Sequence, residues 1–330
     1  MPKAEAPIPF HSRRSPVYAR HGMVASSQPL ASEAGLAILR SGGNAADAAV
    51  ATAAMLALTE PTSTGLGGDC FALFYDGRSG KISALNGSGR APRKLTLELL
   101  REQGFSQGLP PYHAHNVTVP GACAGWCDLV HGHGTLDLDA ILAPAIRAAD
   151  EGFPVEPLTA HAWSMGAQNQ LRTALGGGHL LLDGRAPAAG EVFRNPDLAS
   201  TLRAIATHGK DAFYRGEIAR NIAEAVQDCG GVLAEADLAA HRSTWDEPIG
   251  TAYHGVRLWE CPPNGQGIVA LLTLNLLAHL DMPRSPLSPD GLHLLIEALR
   301  LAFADARRYV ADPAKASVPT SDLLRPEYSE

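Results

Sequence analysis

The sequence predicts a mixed α and β fold, α+β in class, with a layer of buried helix. Three observations predict it. Residues 45–58 are apolar almost throughout and rich in Ala, without the polar stripe of a surface helix. Residues 70–75 (CFALFY) are a short apolar run of strand length, and beyond the turn signals Asp76-Gly77 and Ser79-Gly80 residues 81–85 read as the returning strand of a hairpin. Apolar residues recur at three-four spacing over 136–151, 197–207 and 217–229, which marks amphipathic helices between the strands.

Residues 1–22 read as an irregular arm, and residues 24–29 lead into a helix over 30–40 that Gly42 stops. Asn44 is placed to cap the Ala-rich helix, with Asp47 returning a bond to the Asn44 backbone N–H. Glu60-Pro61 ends that helix. A tight glycine turn follows over 64–69 (TGLGGD), then the hairpin, then a polar loop with one cation over 86–92 (NGSGRAP). The spacing predicts a short helix over 95–103 starting near Thr96, a loop over 104–115, a strand over 117–120 and a helix over 121–130. Beyond the helix at 136–151, residues 153–166 read as continued helix, 176–184 as loop and 237–241 as a helical turn. Residues 250–260 alternate like one strand, 262–267 (PPNGQG) turn into an apolar helix over 268–279, 283–289 are a linker, and 293–310 form the last strong helix. Residues 314–330 read as a tail.

A chain of 330 residues, 45% hydrophobic and 18% charged, has ample material for a core in one large domain or two. A net charge of −7 argues against nucleic acid or an anionic membrane as a partner attracted by bulk charge. Five cysteines without a CxxC pair read as buried free thiols in a reducing compartment. The N-terminus has no continuous apolar core of a secretory signal, and no apolar run approaches about 18 residues. A cytoplasmic protein is therefore expected, or a periplasmic one if the start has been lost.

Several groups invite a chemical reading and lose it on context. TGLGGD lies after a helix and before a strand, the reverse of a dinucleotide or phosphate loop, and no Lys-Ser/Thr follows. The pairs His113/His115 and His131/His133 lack a nearby Cys or carboxylate set with zinc-site spacing, so they read as solvated loop histidines. Cys123 and Cys127 sit four apart on a helix and read as core. Asp305 with Arg307-Arg308 reads as an ion-paired helix surface. Ser26, Ser27 and Ser88 lack a Gly-x-Ser-x-Gly elbow, so a Ser-His-Asp hydrolase is poorly supported.

The motifs taken together resemble the γ-glutamyltransferase (γ-glutamyltranspeptidase) family. They are GGNAADAAVA, TGLGGDCFALFYD and the loop ending in Ala91-Pro92; then Val119-Pro120-Gly121, LAPAIRAADEGFPV, the run from Asn195, PPNGQGIVALLTLNLL and HLLIEALRLAFADARRYVADP. They span nearly the whole chain in order. The resemblance implies a four-layer αββα sandwich of the N-terminal-nucleophile hydrolases, completed by a second chain or a C-terminal part. It implies a precursor that cuts itself before a Thr, whose α-amine then serves as the base for its own hydroxyl. It implies a small subunit as partner, a small-molecule amide as substrate, and no cofactor. The Thr-Thr-His signature is not found in this sequence, so the chain is expected to be the large subunit or a truncation, with no catalytic residue of its own.

In the family the large subunit contributes one Arg, a few residues before the Ala-Pro, to the substrate α-carboxylate. Counting back from Ala91-Pro92, that position is Ser88, and the cation Arg90 stands two residues nearer. Bidentate recognition depends on where the guanidinium sits, and Ser supplies no charge. The expected substrate-binding residues are Asn86, Ser88 and Arg90. Three accounts of Arg90 stay open: it reaches the same carboxylate from a shifted position, it serves a substrate other than a γ-glutamyl compound, or it is a surface cation capping a carbonyl. The loop NGSGRAP resembles the version in γ-glutamyltransferase-like amidases, among them cephalosporin-acylase-like and oxamate-amidohydrolase-like members. A non-catalytic scaffold subunit is the remaining alternative, and an exposed apolar face would be its mark.

Overall fold

A computed structural model describes residues 15–330; residues 1–14, most of the expected arm, lie outside the described residues. Residues 15–28 carry no helix or strand. Helix α1 (Pro29–Arg40) is started by Gln28, whose side chain accepts from Ala31 N. Helix α2 (Ala45–Thr59) opens with the expected capping box: Asn44 Oδ1 accepts from Ala46 and Asp47, and Asp47 Oδ2 accepts from Asn44 N at 2.8 Å. Asp47 is fully buried and also takes the Thr135 backbone N–H and hydroxyl, so the cap ties the start of α2 to the segment after α4 (Ala122–His133).

Strands β1 (Phe71–Asp76) and β2 (Lys81–Asn86) form the predicted hairpin, and β5 (Thr244–Asp246) adds a third strand on β2, with Asn86 opposite Thr244. One face of this sheet carries Ala72, Phe74, Leu85 and Trp245 and lies on α4, where Phe74 stacks on His133 at 4.1 Å. The other face carries Phe71, Leu73 and Tyr75, all exposed. Asn86 pairs directly with Phe71, so it stands on that open face.

Helix α3 (Leu97–Glu102), capped by Thr96, precedes α4. Helix α5 (Leu138–Glu151) leads to a two-strand ladder of β3 (Phe153–Pro154) and β4 (Val192–Phe193), with α6 (Pro157–Gly166) between them. Next come α7 (Pro196–His208), α8 (Asp211–Tyr214), α9 (Glu217–Asp228) and α10 (Glu235–Ala239). Helices α2, α4, α5, α7 and α9 share one core with Leu85 of the sheet. A hairpin of β6 (Ile249–Tyr253) and β7 (Val256–Glu260) leads into α11 (Gly267–Leu277) and α12 (Pro289–Tyr309), and α13 (Thr320–Leu323) and α14 (Pro326–Ser329) end the chain. Helices α11, α12 and α13 form a separate small core.

Four expectations need correction. Residues 117–120 form no strand, because their backbone bonds go to loops: Val119 N to Arg90 O, and Gly121 N to Gly68 O. Residues 153–166 are not one helix, because Phe153 and Pro154 pair with β4 before Pro157 starts α6. Residues 250–260 are a hairpin rather than one strand; His254 and Gly255 take φ of 47° and 81°, the two left-handed residues of a tight turn. Asp305 does not pair with Arg307 or Arg308; it accepts from Tyr328 Oη at 3.0 Å, holding α14 to α12.

Candidate active-site wall

The loop after β2 is fixed by backbone packed on backbone. Cys70 and Gly87 exchange both backbone bonds, extending the hairpin by one pair, and Arg90 O accepts from Val119 N. A Cβ built on Gly89 would stand 1.5 Å from Val119 O, and one on Gly121 would stand 1.7 Å from Gly87 O. No side chain fits at either position, so the two glycines allow residues 87–90 to lie directly against 119–121. Tyr214 braces the underside, donating to Pro120 O and accepting from Ala124 N. Gly68 O takes the N–H groups of Gly121 and Ala122, so the TGLGGD turn supplies the first turn of α4 with an acceptor.

Asn86 and Ser88 are held together with a residue the sequence reading did not select, Asn264. Asn86 Nδ2 donates to Asn264 Oδ1 at 2.7 Å, Asn264 Nδ2 donates to Ser88 Oγ at 3.0 Å, and Ser88 donates to Asn86 Oδ1 at 2.7 Å from its hydroxyl and 3.0 Å from its backbone. The ring of bonds joins the post-hairpin loop to the PPNGQG turn across 178 residues of sequence. The signal for Asn264 was its place between Pro263 and Gly265, the polar residue in a turn already singled out for its composition. Ser88 spends its hydroxyl inside this ring, so it shapes the loop.

Arg90 is different. Its side chain is exposed, and its Nη1 makes one long bond of 3.4 Å to Arg242 O. Among the described residues it pairs with no carboxylate. Arg93 N donates to Asp237 Oδ1, so the loop is also anchored just past the cation. The structure therefore presents a guanidinium on a rigid loop beside the Asn86–Ser88–Asn264 ring.

The flanking thiols are not nucleophiles at neutral pH. Burial pushes Cys70 and Cys261 up to about 11, helped by Asp69 at the first and by Glu260 at the second. Cys123 and Cys127 are buried in the core as expected; the Cys123 thiol donates to Cys127, which raises the first and lowers the second. Of the histidine pairs only His131 is exposed, and it lies on a helix rather than in a loop. His115 is buried, with Nε2 2.6 Å from Gln103 Oε1, and His113 Nδ1 accepts from His115 N. His131 and His133 belong to the last turn of α4, where His133 lies between Phe74 and Trp245. Among the described residues no three His, Cys, Asp or Glu side chains gather as metal ligands, and no helix is long and apolar enough to cross a membrane.

Comparison with known proteins places this geometry in a family. A family model described as gamma-glutamyltranspeptidase matches residues 31–330. A glutathione hydrolase-like proenzyme of Bacillus subtilis is 36% identical over 310 residues, covering 93% of this chain and 58% of that protein. The crystal structure of a cephalosporin acylase from Bacillus halodurans superposes with a TM-score of 0.90 at 46% identity, over 100% of this chain and 62% of that one. A gamma-glutamyltranspeptidase structure from Helicobacter pylori gives a TM-score of 0.88 at 29% identity, over 96% of this chain and 92% of that one. The chain thus spans less than two thirds of the first two of these proteins. Matched by the family model over residues 31–330 and by the fold of these solved structures, the chain belongs to the gamma-glutamyltranspeptidase family.

Proposed function

We propose that this chain is the large-subunit portion of a γ-glutamyltransferase-like amidohydrolase, and that residues 86–90 form the charged wall of its acyl pocket. The observation that carries the reading is Arg90: a guanidinium on a backbone-clamped loop, without a carboxylate partner among the described residues, two residues from the family's Arg position. An Arg in that setting suits an acyl group that ends in a carboxylate, held by charge-assisted hydrogen bonds. Because Ser88 is tied into the ring with Asn86 and Asn264, the carboxylate would lie displaced from where a γ-glutamyl α-carboxylate sits in the family.

The chemistry would belong to a Thr at the head of the partner subunit. Its Oγ adds to the amide carbonyl while its own α-amine takes the hydroxyl proton and delivers it to the departing amine; water then hydrolyses the ester. Two observations support a partner that covers this chain, a feature the amidohydrolase and scaffold readings share. The three-stranded sheet has helices on one face and exposed Phe71, Leu73 and Tyr75 on the other, as one half of an αββα sandwich would. The Helicobacter pylori chain, in contrast to the longer relatives, is matched over 92% of its length.

Intact-mass and N-terminal analysis of the processed protein tests the assembly. A second chain beginning with Thr is expected, and this chain purified without it should turn over no amide; turnover by the lone chain would refute the reading. A second reading, a γ-glutamyl hydrolase or transpeptidase, is favoured by the same Helicobacter pylori match. Faster hydrolysis of a γ-glutamyl anilide than of N-acyl or oxamate-like amides would select it.

A further inference from the structure

The segment that carries Arg90's one hydrogen-bond partner holds a concentration of unmet hydrogen-bonding capacity. Since β5 pairs with β2 and Asn86 lies opposite Thr244, residues 241–243 run beside residues 87–90, and the bond from Arg90 to Arg242 O lies along that seam. His241 is 7% exposed and its ring stacks on Tyr214 at 5.1 Å, yet neither ring nitrogen has a partner. Ser243 Oγ, also buried, has none. Among the described residues the only other such atom is His115 Nδ1, so three of four fall within residues 241–243, just before β5. Buried polar atoms without partners are rare, because each has given up water for nothing. They call for a ligand group or an ordered water.

The chemistry of the place selects which. Arg90, Arg242 and Lys210 set a positive field against one carboxylate, Asp128, which Lys210 already pairs. Burial and that field keep His241 neutral. It therefore offers one N–H donor, and Ser243 offers one O–H donor. Two neutral donors beside a guanidinium form a surface suited to a carboxylate oxygen. We propose that His241 and Ser243 are specificity-determining residues of the acyl pocket, binding the carboxylate that Arg90 attracts, directly or through one ordered water. The inference rests on the reading of Arg90 as the pocket's charged wall.

The test is equilibrium binding of glutarate, a free dicarboxylate probe, to the processed full-length protein by titration calorimetry. Arg90→Ala is expected to weaken binding about 10- to 100-fold, and His241→Phe and Ser243→Ala about tenfold each. His241→Phe keeps the stack on Tyr214 and removes only the nitrogens; His241→Gln restores a donor and should recover most of the affinity. Ser243→Ala deletes one oxygen and leaves the fold intact, so it decides alone if His241→Phe does not fold. Wild-type affinity in both His241→Phe and Ser243→Ala, with Arg90→Ala impaired, overturns this inference and leaves the Arg90 reading standing. Wild-type affinity in Arg90→Ala, or no binding of glutarate to the unmodified protein, overturns both.

Discussion

Eleven of the fifteen residues of α2 are buried, whereas α12, at twenty-one residues, buries four: Gly291, Ala298, Ala302 and Ala306. Helix α2 is enclosed by α1, α4 and α5 and tied down at its start by Asp47, so its packing is complete within this chain. Helix α12 packs its small residues on α11 and leaves Leu292, Ile296 and Leu299, spaced four and three apart, exposed on another face. The outer face of β1 repeats the pattern at period two. An element that is apolar all round and buried has found its neighbours. One with a second apolar stripe in solvent offers a face that a partner could cover. The proposed pocket wall lies at the boundary: Asn86 stands on the open sheet face, while Gly89 and Gly121 are locked into the closed side.

The largest expected effect breaks that lock. Gly89→Ala drives a methyl into Val119 O and should cost at least about 3 kcal/mol, a drop of several degrees or more in the melting temperature of the processed protein. Unchanged melting would dissolve the clamp. Truncation inside the enclosed region comes next. Leu58→Ala, at a fully buried position, should cost about 2–5 kcal/mol in the same measurement.

A pH effect of similar or smaller size tests the seam under Arg90. His241 has an ordinary pKa of 6.5 and is pushed down to about 4 in the fold, by burial first and Arg90 second. Between those values the unfolded chain holds more protons than the folded one. Stability is therefore intact above the ordinary value and falls as pH drops toward 4, by up to about 3 kcal/mol. His241→Phe should flatten that part of the melting profile; an unchanged slope would assign it elsewhere. The smallest effect on intrinsic stability sharpens the contrast between the helices. Ile296→Asp, 52% exposed in this chain, should change the packing of the chain itself by less than about 0.5 kcal/mol. It should nonetheless weaken association with the partner subunit, read by sedimentation at decreasing concentration. Unweakened association would mean that α12's stripe is not the covered face.

The enclosed region was legible in the sequence because its signals are local. The Asn44–Asp47 box, the turn residues of the hairpin and the apolar run of α2 each fall within a few residues, and each gave the element that forms. The misreadings came where tertiary pairing decided. Phe153-Pro154 became strand because β4 lies opposite, nearly forty residues on, and Val119 was taken from any sheet by Arg90 O. The hairpin over 249–260 hid because its turn is His254-Gly255, and not the Asn-Gly or Asp-Gly pair that most strongly marks a two-residue hairpin. At the candidate site, Asn86, Ser88 and Arg90 were selected through the loop's resemblance. Asn264 joins it, and the segment of the proposed His241 and Ser243 meets it, only through contacts that cross some 150 residues or more, a distance over which spacing carries no signal.

The most direct test of the account is steady-state kinetics of the processed protein with Arg90→Ala, on an amide whose acyl group ends in a carboxylate and on its uncharged isostere. The account predicts a KM for the acidic amide raised about 10- to 100-fold, with the isostere unaffected. An unchanged KM for every acidic amide would remove Arg90 from the pocket and contradict the account.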